Sequence, residues 1–267
     1  MLDHQQMPPK KALIIAAGMG RRLAPFTDEM PKCLVPVRGK PMLVRQLEAF
    51  RAHGVERFVI VRGYKADVLE RRKAELGAGV TFVENTEFAS NNILQSMFMA
   101  GAELDDELYV TYADIVFARD VVGKLAAAPG DFSLVVDRDF AKIYEGRTQH
   151  PLPEAEVCAV DATGRMTEVG KRSVPVERAY GEFIGLAKLS AAGARALRAA
   201  WADLATRYAG RETEPFGRNT WRGAYLTDLF EHLIAAGQTF RPVDIFGQWR
   251  EIDTTQDLER AEEQVDW

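Results

Sequence analysis

Two short segments hold residue types that can handle phosphate. The first is Ala16-Ala17-Gly18-Met19-Gly20-Arg21-Arg22-Leu23, which follows a short apolar run. Its glycines leave backbone amides open to anionic oxygens where side chains would obstruct them. A lone Gly-x-Gly is more often a plain turn between strand and helix, but this one is not alone. Twelve positions after Gly20 stands Lys32, inside Met30-Pro31-Lys32-Cys33-Leu34-Val35-Pro36-Val37. A proline-flanked segment of this kind can hold one ammonium at a fixed place beside phosphates. The loop lacks the Gly-Lys-Ser/Thr ending of a P-loop and the third glycine of a dinucleotide fingerprint.

The elements around these segments alternate. Residues 11–17 form an apolar run ending in glycines, as expected of a buried parallel strand. A helix is predicted over 41–53, with Gly54 as its stop, then a strand over 58–61, a helix over 66–76 and a strand over 81–84. A helix over 92–101 and a strand over 108–112 continue the rhythm. The pattern predicts an α/β fold with a doubly wound, mostly parallel, Rossmann-like sheet. After Asp120 the texture changes to strand-like pieces at 132–136, 155–160 and 166–169, read as hairpins beside the main sheet. A strand over 183–189, a helix over 191–208 and a polar, mobile loop over 210–221 follow. The chain then reads as a helix over 226–236, a strand over 240–245 and a closing helix over 255–265 capped by Thr254 or Thr255.

Composition narrows the function. With 47% hydrophobic and 27% charged residues, the 267-residue chain is that of a folded globular protein. A formal net charge of −5 offers no broad attraction for a phosphate backbone, which disfavours a nucleic-acid partner and makes any anion site local. No apolar run approaches the roughly 20 residues that span a bilayer, and no signal-peptide core is seen, so a cytoplasmic protein is expected. The two cysteines, Cys33 and Cys158, are far apart and read as reduced thiols. Residues 1–10 read as a loose leader and 11–267 as one domain, with halves over about 11–120 and about 121–267. Oligomeric state is not legible.

Taken together, the Gly-x-Gly-x-Arg loop and the Pro-Lys-x-Leu-x-Pro element resemble the signature of the sugar-phosphate nucleotidyltransferases. The resemblance extends through Asp114 and through Trp249-Arg250-Glu251-Ile252-Asp253-Thr254. It implies nucleotide binding by Ala16, Ala17, Gly18, Met19 and Gly20. It also implies that Arg22 pairs with the β and γ oxygens and that Lys32 neutralises charge shifting onto the bridging oxygen. The family's metal-binding aspartates map onto Asp114 and Asp253, which would hold Mg2+, and both are expected to emerge at the carboxyl edge of the same sheet. Relatives usually have glycine before the first aspartate, whereas Ala113 stands here.

The stretch Glu84-Asn85-Thr86-Glu87-Phe88-Ala89-Ser90-Asn91-Asn92-Ile93-Leu94-Gln95-Ser96 is similar to the bacterial choline-phosphate cytidylyltransferase branch, which implies CTP as donor. Asn85, Asn91 and Asn92 then become candidates for reading the base, although Asn91 or Asn92 can equally cap the following helix. On the acceptor side the resemblance points to Lys171 for the acceptor's phosphate. A cationic head group needs ring faces and a carboxylate, so Tyr180, Glu182, Tyr144, Trp221 and Trp249 are candidates. The expected activity is transfer of CMP from CTP to a small phosphorylated or phosphonate metabolite. A sugar-1-phosphate nucleotidyltransferase using UTP or dTTP, and a catalytically silent nucleotide-binding regulator, are the alternatives.

Overall fold

The computed structural model describes residues 8–211, 215–216 and 219–267. Most of the expected leader and part of the loop over 210–221 lie outside the described residues. Strand β1 (Lys11–Ala16) runs through two 3-10 turns, Arg21–Leu23 and Lys32–Leu34, into a small hairpin of β2 (Pro36–Val37) and β3 (Lys40–Pro41). Then come α1 (Met42–Arg51), β4 (Arg57–Arg62), α2 (Ala66–Arg71), β5 (Val80–Glu84), α3 (Ile93–Met99), β6 (Leu108–Tyr112) and β7 (Ile115–Phe117). The second part holds α4 (Arg119–Ala127), β8 (Phe132–Asp137), α5 (Phe140–Tyr144), β9 (Glu156–Val160), β10 (Met166–Lys171), β11 (Gly181–Leu189) and α6 (Ala191–Tyr208). It ends with α7 (Leu226–Ala235), β12 (Phe240–Ile245), β13 (Trp249–Glu251) and α8 (Thr255–Gln264).

Among the described residues one nine-stranded sheet carries the fold. Its main run is β5-β4-β1-β6-β11-β8-β12, in which β11 opposes the other strands, and the β9–β10 hairpin joins at the start of β11. Strand β1 is apolar along its length because both of its faces are covered. Leu13, Ile15 and Ala17 enter one core with Leu94 of α3, Leu197 of α6 and Phe230 of α7. Ala12, Ile14 and Ala16 enter the opposite core with Leu47 and Phe50 of α1 and Val121 and Leu125 of α4. Buried leucine and isoleucine side chains such as these each stabilise the fold by about 1.5–3 kcal/mol, so the glycine loop springs from a firmly held strand. The mostly parallel, doubly wound architecture is as the sequence rhythm predicts.

Three local readings change. The helix expected over 66–76 divides at Arg72, whose backbone leaves helical angles (φ −96°, ψ 9°) as its side chain forks onto Glu75, and a 3-10 turn Lys73–Leu76 completes it. Thr254, not Thr255, caps α8: its hydroxyl accepts from the Asp257 amide at 3.2 Å. The third change concerns the site: β7 and β13 form a separate two-stranded antiparallel sheet. Cys33 and Cys158 are buried and unbridged, and burial pushes each thiol up to about 12. No helix among the described residues is long and apolar enough to cross a membrane.

Candidate active site

The glycine loop folds back over the stem of Lys32. Gly20 adopts φ +60°, and a Cβ there would lie 2.9 Å from the Lys32 Cβ and 3.1 Å from Thr27 Cγ2, so any other residue would push the loop off the lysine. Gly18 differs: a Cβ on it would meet nothing within 4 Å, and its backbone borders open space shared with Asn91, Asn92 and Asp114. Beneath the loop a third apolar cluster joins Leu23, Val35, Val37, Val116, Ile252 and Leu258. Each of these sits beside or near a charged candidate in sequence, so the cluster fixes Arg22, Lys32, Asp114 and Asp253 relative to one another.

Asp253 does not leave the main sheet's edge as expected. Asp114 stands between β6 and β7, Asp253 follows β13, and the antiparallel pairing of β7 with β13 sets them side by side. The Ile252 amide donates to the Asp114 carbonyl at 2.9 Å. Lys32 Nζ donates to Asp114 Oδ2 at 2.8 Å and also to Asp253 Oδ1, while Arg22 donates to Asp253 Oδ2. Burial works against the Lys32 charge, but the two aspartates outweigh it and hold the ammonium above its ordinary range. Burial likewise disfavours the Asp253 charge, yet Lys32, His150 and Arg22 keep its carboxyl well below the usual range. Ala113 is accommodated without strain: it is buried, and among described non-glycine residues only Arg38, Lys65 and Arg172 have positive φ.

Behind Asp253 lies a second layer. Arg147, 2% exposed, donates through Nε to Asp257 Oδ1 at 2.6 Å and through Nη2 to Glu251 Oε2 at 2.9 Å. Asp257 Oδ2 in turn accepts from the Asp253 and Thr254 amides at 3.1 and 2.8 Å. His150 Nδ1 lies 3.0 Å from Asp253 Oδ2 and 3.6 Å from Glu251 Oε2. Ligand atoms of His150, Glu251 and Asp253 fall within 4.8 Å of one another, a spacing that can accept a cation. Asp114 Oδ1 is buried with no partner, and hard carboxylate oxygens converging from Asp114 and Asp253 suit a divalent ion such as Mg2+.

The aspartates open onto a cavity of about 250 Å³ whose wall includes Arg22, Asn92, Tyr112, Lys171, Tyr225 and Trp249. Glu154, Glu156, Glu182 and Glu251 line it too. Lys171 donates to Glu154 Oε2 at 3.1 Å and lies over the Tyr225 ring at 4.9 Å. Burial opposes its charge, but Tyr225, Glu156 and Glu154 outweigh that and raise it. Glu156 accepts from Tyr112 OH and Thr227 Oγ1, each at 3.1 Å, and burial pushes its carboxyl up to about 7. Glu182 accepts from Tyr144 OH at 2.7 Å through Oε1, while Oε2 is buried without a partner, and burial raises this carboxyl well above the usual range.

The other sequence candidates are distributed unevenly. Asn85 is wholly buried, and its amide is used by Asn91, Ser96 and the Glu87 amide, so it builds the loop and has no free face for a base. Asn91 and Asn92 line a groove beside Gly18. Asn92 occupies the N-cap position of α3, but its side chain donates to the Gly223 carbonyl at 2.9 Å and does not cap the helix. Trp249 borders the cavity with its indole N–H on Asp137 Oδ2 at 2.8 Å. Trp221 is instead buried in the apolar core against Trp201, and Tyr180 lies outside the cavity wall, donating to Asp244 at 2.8 Å with the Arg138 guanidinium 3.6 Å from its ring centre. Tyr144 reaches the cavity only through Glu182. Glu156, Glu251, His150 and Arg147 escape the sequence reading. The signal for Glu156 was there: one acid inside the apolar run Ala155-Glu156-Val157-Cys158.

Comparison with known proteins bears on this geometry. Residues 12–178 match the model of the MobA-like NTP transferase domain. The chain is 30% identical over 254 residues to the CTP:phosphoglutamine cytidylyltransferase of Campylobacter jejuni, covering 93% of this chain and 97% of that one. It is also 30% identical over 257 residues to the CMP-5'-(3-aminopropyl)phosphonate synthase of Streptomyces rubellomurinus, covering 95% of this chain but 38% of that one. Its fold is similar to the structure of the CTP:phosphocholine cytidylyltransferase of Streptococcus pneumoniae, with a TM-score of 0.70 and 22% identity over 95% of this chain and 97% of that one. The glycine loop, Lys32 and the two aspartates stand on a doubly wound sheet, and the chain belongs to the MobA-like NTP transferase domain family as a nucleotidyltransferase.

Proposed function

We propose that the chain is a magnesium-dependent cytidylyltransferase that transfers CMP from CTP to a small phosphorylated or phosphonate acceptor. An acceptor oxygen bonds to the α-phosphorus of CTP, the bond from that phosphorus to the bridging oxygen breaks, and pyrophosphate leaves. The observation that carries the reading is the convergence of Arg22, Lys32, Asp114 and Asp253, of which Arg22 and the two aspartates border a cavity that also presents Lys171. Asp114 and Asp253 would hold Mg2+, which when bound offsets the repulsion between the anionic reactants and the charge of the leaving group. On this reading Arg22 and Lys32 would offer cationic N–H donors to the triphosphate oxygens. Lys171 offers the acceptor's phosphate a cation at the cavity wall.

Likeness favours this acceptor class. The cavity of about 250 Å³ borders a second space of about 410 Å³ that shares Glu154, Lys171 and Tyr225. The CTP:phosphoglutamine cytidylyltransferase and the CMP-5'-(3-aminopropyl)phosphonate synthase align over 93% and 95% of this chain. On this reading Asn91 and Asn92, which line the groove beside Gly18, would contact the base. The test is a pyrophosphate-release screen crossing CTP, UTP and dTTP with phosphocholine, 2-aminoethylphosphonate and glucose-1-phosphate in the presence of Mg2+. Release with CTP and the non-sugar acceptors supports the proposal. Preference for glucose-1-phosphate with UTP or dTTP would replace it with a sugar nucleotidyltransferase.

A further inference from the structure

Asp114 stands in the turn between β6 and β7, and the backbone of that turn is gripped from outside. Gln46 of α1, 1% exposed, sets its Nε2 between two carbonyls, donating to that of Tyr112 at 2.8 Å and to that of Ile115 at 2.7 Å. These two residues bracket Ala113 and Asp114. The surroundings fix which way the amide points, because the flipped form would press its oxygen against two carbonyl oxygens. Its own Oε1 is buried with no partner among the described residues. A buried amide oxygen without a donor costs free energy, so packing alone does not call for glutamine here. The two carbonyls do.

Helix α1 carries the same grip to the lysine. The amide of Met42, its first residue, donates to the Val35 carbonyl at 3.2 Å, just beyond the turn that holds Lys32. Leu43 and Leu47 of α1 share an apolar cluster with Cys33 and Leu34, so the helix packs on that turn. One helix therefore holds both the Lys32 segment and the Asp114 turn, whose side chains meet at 2.8 Å. Gln46 is absent from the walls of the spaces that Asp114 borders, and it can reach the chemistry only through the turn.

We propose that Gln46 is a positioning residue for the transfer reaction: through the Tyr112 and Ile115 carbonyls it sets the Asp114 carboxylate both against Lys32 and for the divalent ion. The inference rests on the reading of Asp114 as a magnesium ligand given above. A carboxylate that takes a metal ion must keep one orientation, and the groups behind such a ligand govern its affinity.

The experiment compares the wild type with Gln46→Met, which keeps the length of the side chain and removes both N–H donors. One readout is the Mg2+ concentration that half-saturates pyrophosphate release from CTP, with the non-sugar acceptor that the wild type turns over fastest. The other is binding of Mn2+ in the presence of CTP without acceptor, followed by water-proton relaxation. Both should weaken by about tenfold or more, the usual scale for a group behind a metal ligand. The acceptor's KM should stay at the wild-type value, because Lys171 stands on β10 in the other part of the chain. Gln46→Glu, whose buried carboxyl can donate to one of the two carbonyls when protonated, should fall between and is read by itself if the methionine variant does not fold. Lower stability in urea with unchanged Mg2+ requirement and Mn2+ binding would overturn the inference, since Gln46 would then only brace a turn. An acceptor KM that rises as much as the metal requirement would overturn it too. Wild-type turnover without any divalent ion would instead overturn the magnesium reading, and the inference with it.

Discussion

Lys32 bonds two aspartates at once, and its charge is therefore the feature at residue scale with most at stake. Lys32→Met keeps much of the volume and removes the charge, so turnover should fall by roughly a hundredfold or more, the usual scale for a group that stabilises developing charge. A loss below about threefold in single-turnover rate would make the lysine a mere tether for the aspartates. Glu156 supports a prediction about stability. Its carboxyl, pushed from 4.5 to about 7 chiefly by burial, binds its proton more tightly folded than unfolded. The corresponding stability is present below about pH 4.5 and lost as pH rises through about 7, by about 3 kcal/mol in all. Lys171, Glu251, Tyr112 and Thr227 surround it and are unchanged in Glu156→Gln. The variant should match the wild type in urea denaturation near pH 4.5 and exceed it at pH 8; equal stability at both would show that Glu156 is ionised without penalty.

At the scale of elements, the small β7–β13 sheet and the cap of α8 decide where Asp253 stands. Arg147 holds Asp257, and Asp257 holds the amides of Asp253 and Thr254, all with little exposure. Arg147→Met leaves Asp257 and Glu251 without their cation, and the loss of one partner of a buried pair costs roughly 3–5 kcal/mol. Urea titration should show that loss, and turnover of the folded fraction should fall as well; unchanged stability would mean that the hydroxyl and amide donors to Asp257 suffice. This is also where sequence reading reached its limit. Strand β1 was legible from its continuous apolar run and α1 from its spaced apolar residues, and the glycine loop with Lys32 because its residues are close in sequence. Strands β7 and β13 are three residues each, too short for any period, and pair across 132 positions at Trp249 and Phe117. Asn85 and Trp221 misled because a polar amide and a large ring look alike in sequence whether they face a ligand or fill a core. Arg147 was missed because a buried charge is recognised by partners that sequence does not bring near, whereas Glu156 was overlooked although it stands alone among apolar residues.

The whole molecule carries a net charge of −5 and yet gathers cations near Asp114: Lys32 borders the space at the carboxyl ends of β1 and β6, and Arg22 and Lys171 border the neighbouring cavity that Asp114 shares. Both the early strands and the later ones contribute: β1 and β6 supply the loop and Asp114, while β9, β10 and β11 supply Glu156, Lys171 and Glu182. The division suits two anionic substrates meeting across one sheet, with phosphorus transferred between them. The most direct test follows the α-phosphorus of CTP, labelled, in the presence of Mg2+ and an aminoalkyl phosphate or phosphonate. The account predicts label in a CMP–acceptor conjugate with one pyrophosphate released per conjugate, and loss of most of that product in Asp114→Asn and in Asp253→Asn while each variant retains its far-UV circular dichroism. Label remaining in CDP with release of inorganic phosphate, or near-wild-type conjugate formation by both aspartate variants at limiting Mg2+, would contradict it.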